Sequence, residues 1–74
     1  MEEFIKNFAN QWDDTAHEEF TSDCAFHDLE EWSSLVGLAI LNMIVKKYGV
    51  KVAPAELKAC VTIQDVYNLV QSKL

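Results

Sequence analysis

Apolar residues recur at helical spacing from the start of the chain. The first group consists of Phe4, Ile5, Phe8 and Trp12. Spacings of three and four residues place them on one side of a helix. We predict a first helix over about Glu2 to Trp12. Its acidic first turn faces the positive end of the helix dipole, which favours this start.

The longest apolar stretch begins directly after two serines. We predict a second helix from Ser34 to about Tyr48, with Ser33 as its N-cap and Gly49 as the residue that ends it. Its inner face is predicted to hold Gly37, Ile40, Leu41, Ile44 and Tyr48. Its outer face is predicted to hold Val36, Ala39, Met43, Lys46 and Lys47. An outer face this apolar suggests a docking surface.

Two further helices follow. Pro54 suits the first position of a short third helix that reaches about Ala59. Thr62 to Asp65 resembles a capping box, so the fourth helix should start there and run to about Ser72. Glycine and proline are otherwise scarce. The pattern therefore predicts an all-α fold with three main helices and one short third helix.

Residues 13–32 form a long connection between the first two helices and show little periodicity. We expect four apolar residues to anchor it: Phe20, Phe26, Leu29 and Trp32. One short helical turn is predicted near Ala16 to Phe20. A connection this long in a small domain is usually functional or held down by packing.

The length of the chain limits what it can do. Its 74 residues suffice for a single domain over 1–74 with a small core. Such a core leaves little room for an enclosed catalytic cleft. We therefore expect a binding, carrier or interaction module and not an enzyme.

Charge is distributed unevenly along the chain. Residues 1–31 hold ten of the twelve acidic residues and only one of the six lysines, and there is no arginine. We expect no nucleic-acid partner, because bidentate contacts to phosphates or bases need arginine. The apolar run Leu35 to Val45 is too short to span a bilayer, so we expect no membrane insertion and a cytoplasmic location.

No group of residues has the spacing of a metal site or a catalytic triad. Cys24 and Cys60 are expected to be free thiols in a reducing compartment. His17 and His27 have no third ligand or nucleophile near them in sequence, so we interpret them as solvated or loop-packing side chains.

Four segments occur in an order that resembles the acyl carrier protein family. They are Phe26-His27-Asp28-Leu29 in the connection, Trp32-Ser33-Ser34-Leu35 at the second helix, Lys47-Tyr48-Gly49-Val50 at its end, and Cys60 to Asp65 before the fourth helix. The similarity covers nearly the whole chain. It implies an acyl carrier protein-like four-helix bundle.

The resemblance also implies a role for Ser34. In this family, the serine before the leucine carries 4′-phosphopantetheine, which a phosphopantetheinyl transferase adds from coenzyme A. The thiol of that arm holds an acyl or aminoacyl group as a thioester. The other expected partners are acyl-transferring or acyl-activating enzymes of fatty-acid, polyketide or related biosynthesis. We expect a monomer, and the Met1 start and the end soon after the fourth helix suggest a free-standing carrier.

The sequence departs from the family pattern at two places. The aspartate that usually precedes the modified serine is Ser33 here, which keeps a cap but removes a charge. The second helix, acidic in many members, has no acid between Ser34 and Tyr48. We expect partners to dock mainly by apolar contact, with weak salt dependence, on Glu30, Glu31, Leu35, Val36, Ala39, Met43 and Glu56.

A second interpretation stays open from the sequence. The chain could be a helical interaction or adaptor module with a carrier-like fold, in which the Ser33–Ser34 pair only caps a helix. The two interpretations differ at Ser34, which a carrier needs and an adaptor does not.

Overall fold

The computed structural model describes all residues, 1–74, and they form four α-helices without strands. The helices are α1 (Glu2–Ala9), α2 (Ser34–Tyr48), α3 (Pro54–Ala59) and α4 (Ile63–Lys73). Two 3₁₀ turns, His17–Glu19 and Phe26–Asp28, lie in the connection between α1 and α2. The predicted all-α fold, with three main helices and a short third one, is confirmed. None of the helices combines the length and the apolar character that crossing a membrane requires.

The ends of α2 and α4 follow local signals in the sequence. Ser33 has an extended backbone, and its Oγ accepts a hydrogen bond from the Val36 N–H at 3.3 Å. Gly49 ends α2 with φ of 66°, a left-handed conformation that glycine adopts readily. Thr62 and Asp65 form the predicted capping box at α4, where the Asp65 carboxylate accepts the Thr62 N–H at 3.0 Å. This bond is the main cause that lowers the pKa of Asp65.

Helix α1 ends at Ala9, three residues before the predicted Trp12. A tight turn follows, in which the Trp12 N–H donates to the Ala9 carbonyl at 3.1 Å. The next N–H groups cannot continue the helix, because those of Asp13 and Asp14 donate to the Glu31 carboxylate. Trp12 is nevertheless buried, as the apolar pattern predicts.

The core is built around aromatic rings from α1 and the connection. Phe8 is fully buried, and its ring centre lies 5.1 Å from that of Phe26 and 6.2 Å from that of Phe20. Leu29 and Trp32 pack against the same core and are half-buried. The four predicted anchors of the connection are therefore confirmed, and they hold it against the helices.

The predicted outer face of α2 is wrong in part. Met43 is only 4% exposed, and Val36 and Ala39 are half-buried. The exposed apolar residues are instead Leu35, Leu38 and Val45, at 79%, 55% and 50%. They lie about a third of a turn around the helix from the predicted set. Because α2 is apolar on nearly every side, the spacing identifies the centre of its buried face but not the edges.

Candidate functional site

The two serines at the start of α2 have different surroundings. Ser33 Oγ is engaged as the helix cap. Ser34 is exposed, and its hydroxyl makes no hydrogen bond within the protein. The N–H groups of Ser34 and Leu35 also have no partner in the protein, because they lie before the first complete turn. The junction thus presents a free hydroxyl beside unpaired N–H groups.

A cavity of about 530 Å³ opens beside Ser34, between α2, α3 and the connection. Leu41 and Leu57 give it apolar walls. Its polar lining comes from the side chains of Ser34, His27 and Lys58. Lys58 is the one lysine that lines it, and no acidic residue does. Such a mixed polar and apolar lining suits an amphipathic ligand.

The wall nearest Ser34 depends on a close contact between Trp32 and α2. A methyl group added at Gly37 would lie 3.1 Å from the Trp32 ring. The His27 ring packs edge-on against Trp32 with 4.4 Å between ring centres, and His27 Nε2 lies 3.3 Å from the Leu57 carbonyl oxygen. His27 is thus a packed loop residue, as expected, but its place in the cavity wall could not be predicted. Gly37, one turn after Ser34, was the available signal for close packing.

One comparison with known proteins supports the family resemblance. No family model matches the chain, and no solved structure matches it. It is 39% identical over 56 residues to polyketide-8 synthase acyl carrier protein 2 of Streptomyces avermitilis. The match covers 76% of this chain and 64% of that relative, which is less than two thirds of its length. The chain is thus similar to a member of the acyl carrier protein family. This confirms the resemblance and agrees with the prediction that the chain is not an enzyme.

Glu31, one of the acids predicted for docking, is engaged in hydrogen bonds to other residues of the chain. Its carboxylate accepts hydrogen bonds from the N–H groups of Asp13, Asp14 and Thr15 and from the Thr15 hydroxyl, at 2.6 to 3.0 Å. The Thr15 hydroxyl is the main cause that lowers the pKa of Glu31. Its neighbour Glu30 is exposed and makes no such bonds. Of this pair, Glu30 is therefore the one that is free to meet a partner.

Glu56 also has an internal role. It accepts the Ala53 N–H at 3.0 Å and forms an ion pair with Lys73 at 3.1 Å, which ties the start of α3 to the end of α4. The Ala53 N–H is the main cause that lowers the pKa of Glu56. Among the apolar residues predicted for docking, Leu35 is the one that is exposed, whereas Met43 is buried and cannot contact a partner without rearrangement.

The remaining polar candidates do not converge. Cys24 and Cys60 are free thiols, and burial raises the pKa of both. His17 is exposed at the surface. No cluster of three or more histidine, cysteine, aspartate or glutamate side chains could hold a metal ion.

Proposed function

We propose that Ser34 carries 4′-phosphopantetheine and that the protein holds an acyl group as a thioester for enzymes of polyketide biosynthesis. The observation that carries this proposal is the free, exposed Ser34 hydroxyl beside a neighbour that already caps the helix. The name of the relative supports the polyketide context. Aminoacyl cargo, fatty-acid synthesis, the cytoplasmic location and the monomeric state stay predictions.

The surroundings of Ser34 fit the attached group. With a phosphopantetheinyl transferase, Ser34 Oγ would attack the phosphorus that carries the pantetheine arm of coenzyme A. The new P–O bond forms as the bond to 3′,5′-ADP breaks, and the hydroxyl proton passes to a base. The unpaired N–H groups of Ser34 and Leu35 then favour the negative phosphodiester. When attached, the arm supplies the thiol that forms the thioester.

Intact mass after incubation with coenzyme A and a promiscuous transferase tests this proposal. We expect the wild type to gain the mass of one arm, Ser34→Ala to gain none, and Ser33→Ala to gain one. Ser33→Ala should also lose about 1 kcal/mol of stability, because it removes the cap. Addition that persists in Ser34→Ala would move the attachment to Ser33.

One observation favours a second candidate function. Ser33 replaces the aspartate that precedes the modified serine in the family, so the site lacks that charge. A carrier-like adaptor without modification would tolerate this replacement. If no transferase adds mass to the wild type, and Ser34→Ala leaves partner binding unchanged, the adaptor is the better account.

A further inference from the structure

One side of α2 presents a continuous exposed strip, which we call the α2 strip. It consists of Leu35, Leu38, Asn42, Val45 and Lys46. The steps of three, four, three and one residues keep these positions on one side of a helix. Leu35, Leu38 and Val45 are at least half exposed, although residues of this type are normally buried.

The charges at this strip are positive. Helix α2 contains Lys46 and Lys47 but no acidic residue. Lys58 of α3 lines the same cavity as Leu38 and Ser34, so it borders the strip on the cavity side. The one ion pair of the protein joins Lys73 to Glu56, and these lysines therefore have no carboxylate partner.

We propose that the α2 strip docks a protein surface that is apolar at its centre and carries carboxylates at its rim, opposite Lys46 and Lys58. This is the reverse of an acidic helix that meets a basic partner. The inference rests on the proposed function in one respect, which is that the docked protein is an enzyme that receives the arm of Ser34. Ser34 borders the strip, so such a partner would cover the attachment point.

The net charge of the whole molecule favours a partner with a basic surface. The net charge and the α2 strip therefore predict different partners, which an experiment can distinguish. At −6, the protein should attract basic surfaces from a distance. Screening limits that attraction to about 8–10 Å at ordinary ionic strength, so the local lysines decide the sign of the contact. Apolar burial would supply most of the affinity, and the lysines would select the partner.

Two synthetic amphipathic helical peptides test the proposal on the unmodified ¹⁵N-labelled protein. They share one leucine strip and carry either glutamates or lysines along its flanks. We expect the glutamate peptide to shift the amide signals of the α2 strip and to bind about three- to tenfold more tightly than the lysine peptide. Leu38→Gln should weaken both peptides, because it removes apolar contact.

Charge reversal supplies the matched control. Lys46→Glu and Lys58→Glu should each reduce the preference for the glutamate peptide. Lys6→Glu makes the same change in net charge on α1, which is not part of the strip, and should leave the preference intact. Tighter binding of the lysine peptide, or no shifts on the strip with either peptide, would overturn the proposal. Shifts that follow protein concentration alone would assign the strip to a second copy of the chain. The peptides are tested on the protein without the pantetheine arm. Their binding can therefore be measured even if Ser34 is never modified.

Discussion

At the scale of single residues, the two serines show that a shift of one position along the chain changes what the same side chain does. Ser33 has φ of −158° and ψ of 170°, and this extended geometry turns its hydroxyl back toward the Val36 N–H. Ser34 is the first helical residue, where the same hydroxyl is left free. The cap and the proposed attachment point are therefore not interchangeable, although the residue type is the same.

The missing charge at position 33 leads to a prediction about the rate of modification. We expect Ser33→Asp to gain the pantetheine arm faster than the wild type, because it restores the family's aspartate beside Ser34. Ser33→Asn is the matched control, since it caps as well but is neutral, and it should leave the rate unchanged. A time course of intact mass at equal transferase concentration measures both. If both variants gained the arm equally faster than the wild type, the shape of the side chain at position 33, and not its charge, would be the cause.

Glu31 leads to a prediction about pH. Its pKa is lowered in the folded state, so its bonds stabilise the fold above the ordinary carboxyl pKa and are lost as pH falls through the folded value. We expect Glu31→Gln to be less stable than the wild type at pH 7. The difference should narrow below about pH 4.3. Urea unfolding followed by circular dichroism at pH 7 and pH 3 gives both values.

Glu30→Gln is the control for that measurement. It removes one negative charge from the residue directly before Glu31, and the Glu30 side chain makes no hydrogen bond to residues 13–15. Its unfolding should stay close to that of the wild type at both values of pH. Equal losses in the two variants would mean that general charge repulsion, and not the bonds to residues 13–15, determines the effect.

At the scale of elements, the sequence predicts those features whose causes are local. The start of α2 at Ser33 and its end at Gly49 depend on bonds within one turn, and both are confirmed. The course of the chain after α1 is not determined locally, because the Glu31 carboxylate, 18 residues away, accepts the Asp13 N–H. The exposed edge of α2 likewise depends on what packs against it, which an apolar run does not reveal.

Gly37 leads to a prediction about the contact between Trp32 and α2. Even a methyl group would lie 3.1 Å from the ring, so we expect Gly37→Val to displace Trp32. The displacement should lower the free energy of unfolding by about 1–3 kcal/mol and shift the tryptophan emission spectrum. Ala39→Val adds a branched side chain to the same helix at a half-buried position and should change both less. Unchanged emission in Gly37→Val would show that the ring is not held there.

At the scale of the whole molecule, the site rests on a small aromatic core. Phe8 packs against Phe20 and Phe26, and Phe26 in turn contacts Trp32 with 5.5 Å between ring centres. The connection is therefore held from α1 through to the cavity wall beside Ser34. The sequence predicts these anchors by type, but the chain of contacts that joins them to the site required the structure.

This arrangement predicts that a core residue on α1 affects the site. A domain of this length has a total stability of about 4–11 kcal/mol, and Phe8→Ala should remove about 3–5 kcal/mol of it. Thermal unfolding should show a large fall in the midpoint, and the pantetheine arm should be added more slowly because the junction is less often folded. Leu38→Ala, on the exposed α2 strip, should change stability by less than about 0.5 kcal/mol. If Leu38→Ala destabilised the fold as much as Phe8→Ala, Leu38 would be a packing residue and the strip would not be free to bind a partner.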